Sequence, residues 1–268
     1  MKYGICHLSQ ISMREVPSHR SQLVSQLLFG DAYQIEETLC DWLKIKTLDC
    51  GYEGYIDKKL WNEMHEDDAT EYNALDKYLV TDYLIFIKEF ETNVTFPVFM
   101  GASFPYPKDN LLILGNAIFV MELPKEHVNL LPPTLSEPQM KILQFASGFL
   151  QAPYLWGGRT PAGIDCSALV QLTFKSINLQ LPRDASQQVN QGISIDFATE
   201  WQIGDVAFFD NDEGKIIHVG IICGKNQILH SSGFVKIDSL DTTGIYNKQL
   251  EQYTHKLRVV KRLIANNH

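Results

Sequence analysis

The first sixty residues alternate between short apolar runs and turn-forming residues, which is typical of a small all-β domain. Strand character is shared by four stretches, residues 4–13, 32–37, 42–47 and 54–56. Turn signals separate these stretches at Pro17-Ser18, Gly30-Asp31 and Asp49-Cys50-Gly51. So many short strands in so short a segment predict a small barrel over residues 1–62.

The middle of the chain is again rich in strand-like stretches, although their alternation is weaker. The polar residues 62–70 predict a linker. Four apolar stretches follow, at residues 78–84, 94–99, 110–114 and 117–123. They predict a second small barrel over residues 75–123. The proline-punctuated stretch 124–133 predicts a second linker.

The C-terminal part changes from helical to strand periodicity. The run Ser136-Glu137-Pro138-Gln139 has the composition of a helix start, with Ser136 as the capping residue, and apolar residues then recur at helical spacing. A second helix is predicted from Cys166, and β stretches separated by turns follow from Val206. Helices followed by an antiparallel sheet predict an α+β domain over residues 135–268.

Charge and composition narrow the classes of partner. The 268 residues carry a formal net charge of −9, which argues against nucleic acid or an anionic membrane as the main partner. The five cysteines are odd in number and none has C-x-x-C spacing, so a disulfide framework is not expected.

The N-terminus lacks the apolar core of a signal peptide. A cytoplasmic location is therefore expected, or a periplasmic or secreted one if a leader has been removed. The oligomeric state stays open.

One cysteine, Cys166, lies in a sequence context that favours a reactive thiol. Cys166 follows the segment Tyr154-Leu155-Trp156-Gly157-Gly158 and the run Gly163-Ile164-Asp165, and it begins an apolar helical stretch. A thiol at the positive end of a helix dipole has its thiolate favoured. The sequence predicts Cys166 as a nucleophile; the structural alternative is an inert buried thiol.

Two histidines follow at spacings that suit neighbouring strands. His218 lies 52 residues after Cys166, and His230 lies twelve residues further along. Thiol catalysis needs a base and a polar group that orients the base, so we assign these roles to His218 and His230 respectively. The structural alternatives are a core histidine and a strand-end surface histidine. A zinc site built from the same residues lacks an evident fourth ligand, so no metal or organic cofactor is implied.

Together these motifs resemble the NlpC/P60 family of papain-like cysteine peptidases, which cleave cell-wall peptides. The stretches 26–31, 41–45 and 51–56 resemble a bacterial SH3 domain. The resemblance implies a papain-like catalytic domain preceded by two small SH3-like β-barrels. It also implies that Tyr154 lies in the active site near the oxyanion position. Trp156 is assigned to the substrate-binding loop, although it is equally suited to packing that loop.

The order of domains resembles one branch of the family, the γ-D-glutamyl-L-diamino acid endopeptidases. The resemblance implies a peptidoglycan-derived substrate, L-Ala-γ-D-Glu-diamino acid, with a free N-terminal amine. Asp184 matches the aspartate that meets the amine in this branch, and Asp165, Ser167 and Arg183 fit the polar walls of the subsites. Tyr52 or Tyr55 is expected to line the cleft from the first domain. Gln22 stands where the branch often has a glutamate, which places more of the amine recognition on Asp184.

Two other functions compete with an endopeptidase. An amidase or acyltransferase would use the same cysteine and histidine, because both reactions proceed through a thioester. A non-catalytic wall-binding protein would keep the fold without the reaction. The intact set Cys166, His218 and His230 argues against this last reading. The identity of the diamino acid, meso-diaminopimelate or lysine, is left open.

Overall fold

Two structural units, each with its own hydrophobic core, make up the chain. The computed structural model describes residues 1–121, 128–130 and 138–264. The first unit comprises Met1–Pro133 and Trp156–Pro161, and the second comprises Thr134–Leu155 and Ala162–His268. Within the described part of the chain, no helix has the length and apolar character needed to cross a membrane.

A seven-stranded antiparallel sheet forms the start of the first unit. Its strands are β1 (Lys2–Ile5), β2 (Gln10–Arg14), β3 (Leu23–Leu28), β4 (Ala32–Thr38), β5 (Trp42–Thr47), β6 (Glu53–Asp57) and β7 (Glu63–Met64). They are ordered β3-β2-β6-β5-β4-β1-β7. Alternate residues of β5 and β6 point inward, so Leu43, Ile45 and Ile56 join Ile11 and Met13 in one buried cluster. This period of two is the pattern that predicts strands in this segment.

The linker predicted over residues 62–70 is wrong. The chain forms β7 and then helix α1 (Glu66–Ala74), which begins with three acidic residues that favour the positive end of its dipole. The helix buries Ala69 and Tyr72, and the Tyr72 hydroxyl donates to the Gly30 carbonyl at 2.7 Å. With only two buried side chains, the helix looks polar in sequence although it is folded.

Two smaller sheets complete the first unit. Their strands are β8 (Lys77–Val80), β9 (Leu84–Glu89), β10 (Thr95–Phe99), β11 (Ser103–Pro105), β12 (Leu111–Leu114), β13 (Ala117–Val120) and β14 (Val128–Leu130). One sheet has the order β10-β9-β13-β12 and the other β11-β8-β14. Strand β14 lies inside the predicted linker 124–133, the rest of which falls outside the described residues. The separation of this region into a second domain, 75–123, stays a prediction.

The segment Trp156–Pro161 belongs to the first unit and contains strand β15 (Arg159–Thr160). The buried Arg159 guanidinium donates to the Gln26 carbonyl at 2.7 Å and to Asp31 at 2.9 Å. Gly157 has a φ of +75°, and a Cβ there would lie 2.6 Å from the Leu23 carbonyl oxygen. Only glycine fits that backbone.

Helices precede a closed antiparallel barrel in the second unit, in agreement with the predicted α+β order. The elements are α2 (Pro138–Ser147), β16 (Gly163–Ile164), α3 (Cys166–Lys175), α4 (Ala185–Gln188), β17 (Ile193–Ser194), β18 (Val206–Asp210), β19 (Ile216–Gly224), β20 (Gln227–Ser232), β21 (Phe234–Leu240), β22 (Gly244–Asn247) and β23 (Gln252–Arg262). Strands β18 to β22 pair in sequence, and β23 pairs with both β18 and β22, which closes the barrel. The predicted cap Ser136 lies outside the described residues.

Candidate active site

The nucleophile candidate, Cys166, is the first residue of helix α3. Asp165 caps the helix, because its carboxylate accepts from the Ala168 backbone N–H at 2.8 Å. Only 7 % of Cys166 is exposed, and hydrogen bonding from the backbone N–H groups of Val219 and Ser167 favours its thiolate form. Val219 directly follows His218 on β19, so the thiol lies beside the strand that carries the predicted base.

The resting state of Cys166 differs from the thiolate that the sequence predicts. Burial raises the pKa of Cys166 to about 12, and the charge of Asp165 acts in the same direction. The backbone N–H groups and Arg183 oppose this shift, but the cost of desolvating a thiolate is larger. This shift favours the protonated thiol at neutral pH.

The two predicted histidines are buried side by side on neighbouring strands of the barrel. Nε2 of His218 on β19 and Nδ1 of His230 on β20 are 2.9 Å apart and hydrogen-bonded. Gly220 makes room for this pair, because a Cβ there would lie 2.9 Å from the Cβ of His230. Burial lowers the pKa of both imidazoles, and for His218 the neighbouring His255 and His230 lower it further. Both rings are therefore neutral at pH 7.

Two residues that sequence reasoning missed extend this pair. Asp238 on β21 lies with its Oδ2 3.1 Å from Nε2 of His230. His255 on β23 stacks on His218 with ring centroids 4.1 Å apart. Asp238 comes eight residues after His230 in a stretch that alternates between polar and apolar residues. That spacing could have indicated that the two residues lie on neighbouring strands of a hairpin. No local motif surrounds His255, since only the closure of the barrel brings it to His218.

The polar residues around Cys166 bind one another. The Arg183 guanidinium donates to both oxygens of Asp165 and to the Ser167 hydroxyl at 2.8 Å, and all three side chains are buried. Gln188 donates to the carbonyls of Ser167 and Pro182, which ties the loop before α4 to α3. This network holds the helix start in place. The direct substrate contacts predicted for Asp165, Ser167 and Arg183 stay a prediction.

Tyr154 also lies close to Cys166. Burial raises the pKa of its hydroxyl to about 12, and the charges of Cys166 and Asp165 add to that rise. The phenol is therefore protonated and can donate a hydrogen bond. Asp184 occupies the N-cap position of α4 and is partly exposed.

The remaining predicted substrate residues belong to the first unit. Trp156 is 58 % exposed, Tyr52 packs on the edge of the core cluster, Tyr55 lies on β6, and Gln22 is exposed. Their place in a substrate cleft stays a prediction. Among the described residues, no group of three or more histidine, cysteine, aspartate or glutamate side chains is arranged to hold a metal ion.

Comparison with known proteins agrees with the geometry of the second unit. A model of the NlpC/P60 family matches residues 151–255, which include Cys166, His218, His230, Asp238 and His255. The chain is 39 % identical over 114 residues to a protein of Bacillus subtilis named gamma-D-glutamyl-L-lysine dipeptidyl-peptidase. That match covers 41 % of this chain and 38 % of the B. subtilis protein.

Two longer matches include the first unit. Dipeptidyl-peptidase 6 of Lysinibacillus sphaericus is 26 % identical over 249 residues, covering 84 % of this chain and 87 % of that protein. The crystal structure of an NlpC/P60 family protein from Bacillus cereus superposes with a TM-score of 0.80 at 18 % identity, covering 98 % of this chain and 100 % of that one. The fold is therefore the NlpC/P60 fold behind an N-terminal β-rich region. The description of that region as two SH3-like barrels stays a prediction.

Proposed function

Residues 151–255 match the model of the NlpC/P60 family, and on that premise we propose that the protein is a cysteine peptidase acting on peptides derived from peptidoglycan. The observation that carries the proposal is the buried pair of His218 and His230, hydrogen-bonded at 2.9 Å. The backbone N–H of Val219, the residue after His218, favours the thiolate form of Cys166. A thiol, a neutral imidazole and an orienting imidazole are the groups that acyl transfer through a thioester requires.

The reaction begins from a neutral pair. The Cys166 proton passes to His218 as the sulfur attacks the scissile carbonyl, and the resulting imidazolium gives that proton to the leaving amine. This leaves an acyl group on Cys166 as a thioester. Water, deprotonated by His218, then attacks the thioester carbonyl; the acid departs and the sulfur regains a proton. The protonated Tyr154 hydroxyl is the proposed side-chain donor to the oxyanion.

The bond cleaved is proposed to be the one between γ-D-Glu and the diamino acid, in peptides with a free N-terminal L-Ala. The names of the B. subtilis and L. sphaericus relatives support a dipeptidyl-peptidase of this kind. Asp184, partly exposed at the start of α4, is the proposed carboxylate for the substrate ammonium.

The decisive experiment compares four peptides, L-Ala-γ-D-Glu-meso-diaminopimelate, L-Ala-γ-D-Glu-L-Lys and their N-acetylated forms, with products identified by mass spectrometry. We expect L-Ala-γ-D-Glu to be released from the free peptides only, because an acetylated amine cannot pair with Asp184. Cys166→Ala is expected to abolish turnover. Cys223→Ala, which removes a partly buried cysteine on β19, is the control and should keep it. Cleavage of none of the four by a protein whose Cys166 reacts with acyl donors would favour an amidase or acyltransferase. A Cys166→Ala protein that retains activity would remove the proposed mechanism.

A further inference from the structure

Three donors converge on one oxygen of Asp238. Oδ2 lies 3.1 Å from Nε2 of His230, 3.2 Å from Nζ of Lys236 and 3.4 Å from Nδ2 of Asn247. The hydrogen bond from His230 and the ammonium of Lys236 overcome the effect of burial and hold the pKa of Asp238 below its usual value. Asp238 is therefore an ionised carboxylate at neutral pH, and an ionised carboxylate can only accept hydrogen bonds.

This acceptor fixes the position of one proton on His230. The ring is fully buried, with 0 % exposure, and neutral, so it carries a single N–H. Because Nε2 faces the carboxylate, the proton lies on Nε2 and Nδ1 is a lone-pair acceptor. A proton on Nδ1 instead would leave two acceptors, Nε2 and Asp238, facing each other in a buried site.

The position of the proton on His230 determines the position of the proton on His218. Nδ1 of His230 is the acceptor, so the hydrogen bond at 2.9 Å must be donated by Nε2–H of His218. A neutral His218 with its proton on Nε2 has an unprotonated Nδ1. That nitrogen is the one left to take the Cys166 proton.

We propose that Asp238 is a positioning residue that sets the tautomers of His230 and His218 and thereby presents His218 to Cys166 as a base. The proposal rests on the proposed thiol-peptidase function and extends it by one residue on β21. Without the carboxylate, His230 can carry its proton on Nδ1 and donate to Nε2 of His218. His218 would then hold its proton on Nδ1 and could not accept one from the thiol.

The charged and titratable groups around the hydrogen bonds that join Asp238, His230 and His218 come from four strands. They are His218 on β19, His230 on β20, Lys236 and Asp238 on β21, and His255 on β23, whose ring centroid is 5.9 Å from that of His230. Lys236 balances the charge of Asp238. Asp238 therefore orients the two rings and takes no proton from either of them.

Two substitutions of Asp238 distinguish its role in orienting the histidine rings from the effect of its charge. In Asp238→Asn the amide oxygen can occupy the Oδ2 position and accept from all three donors, so the tautomers are kept while the charge is lost. In Asp238→Ala both are lost. For Asp238→Ala we expect kcat to fall about 10- to 100-fold, by analogy with the loss of partners that orient metal-bound histidines. KM stays the same, because no group in contact with substrate has changed. Asp238→Asn stays near the wild-type rate, as does the exposed control Asp212→Ala.

The tautomers themselves are measured by long-range ¹H–¹⁵N correlation spectra of the histidine rings at pH 7.5. The wild-type protein and Asp238→Asn should show Nε2–H for both His218 and His230, and Asp238→Ala should show Nδ1–H on His230. A wild-type spectrum with Nδ1–H on His218 would overturn the proposal without any variant. So would an Asp238→Ala protein with unchanged tautomers and unchanged kcat. The spectra need no peptide substrate, so absence of hydrolysis would count against the proposed function and leave this test intact.

Discussion

The ring of His255 stacks on the ring of His218, with centroids 4.1 Å apart and an interplanar angle of 28°. Phe209 lies near both rings, at 5.7 Å from His218 and 5.9 Å from His255. His218 is thus confined on one face by His255 and at its edge by His230. The stack holds the plane of the predicted base, and it also places three imidazoles in a space where a positive charge is costly.

The stability of the protein should fall as the pH drops below 6.5. Burial lowers the pKa of His255 to about 4 and lowers those of His218 and His230 as well. Between their unfolded and folded pKa values, the unfolded chain binds more protons than the folded one, so the free energy of unfolding decreases with falling pH. The thermal unfolding temperature is expected to be lower at pH 5.0 than at pH 7.5.

His255→Phe tests the origin of this effect, since it keeps an aromatic ring in the stack and removes one titrating group. The difference in unfolding temperature between pH 7.5 and 5.0 should be smaller in His255→Phe than in the wild type. His65→Gln, which changes an exposed histidine in the first unit, provides the control and should retain the full difference. An identical difference in all three proteins would refute the assignment to the buried cluster.

Alkylation of Cys166 should be slow at neutral pH and rise steadily toward alkaline pH. The reason is the pKa of about 12 that burial gives this thiol, which leaves little thiolate below pH 9. The rate of iodoacetamide labelling of the peptide that contains Cys166, measured by mass spectrometry from pH 6 to 10, checks this. Labelling of the exposed Cys40 in the same samples is the internal control. A plateau already reached at pH 7 would indicate a preformed ion pair of Cys166 with His218.

The candidate catalytic residues can be proposed from sequence alone because their context is local. A helix start after a glycine-rich loop identifies Cys166, and the alternation of β19 and β20 places His218 and His230 on neighbouring strands. These signals extend over a few residues, and the family resemblance adds to them. The strands of the first unit are predicted for the same reason, since alternation with period two is visible wherever one face is buried.

The parts that sequence reasoning missed depend on contacts between distant residues. His255 meets His218 only because β23 pairs with β18 and β22, and no periodicity indicates how a barrel closes. The pKa of Cys166 depends on how deeply α3 is buried, and a helix dipole gives no measure of that. Helix α1 has the polar composition of a linker because its buried residues are Ala69 and Tyr72 alone.

Removing Arg183 should destabilise the protein strongly. The buried Asp165 carboxylate would lose its bidentate partner while still capping α3. Breaking a buried ion pair by removing one partner costs about 3–5 kcal/mol. Arg183→Ala is therefore expected to lower the free energy of unfolding in urea by about that amount, whereas loss of the exposed Lys215–Glu213 pair in Lys215→Ala costs under about 1 kcal/mol. Equal effects of the two substitutions would show that Asp165 does not depend on Arg183.

Gly220→Ala should impair catalysis through the position of His230. A Cβ at residue 220 would lie 2.8 Å from Cδ1 of Ile228 and 2.9 Å from Cβ of His230, so β20 must shift to admit it. Displacement of a catalytic group by about 1 Å can cost about 10²-fold in rate, and a loss of kcat up to that size is expected. His230→Ala should keep partial activity, above that of Cys166→Ala, because orientation contributes less than the nucleophile.

The double variant Gly220→Ala/His230→Ala identifies the route of the effect. If Gly220→Ala acts by moving the imidazole of His230, it has nothing left to move once that ring is gone, and the double variant should have the kcat of His230→Ala alone. Its unfolding temperature should still fall below that of His230→Ala, because the added methyl group still crowds Ile228 and the Cβ of residue 230. Losses of kcat that multiply in the double variant would mean that Gly220→Ala disturbs His218 or Cys166 instead, since His218 lies on the same strand as Gly220.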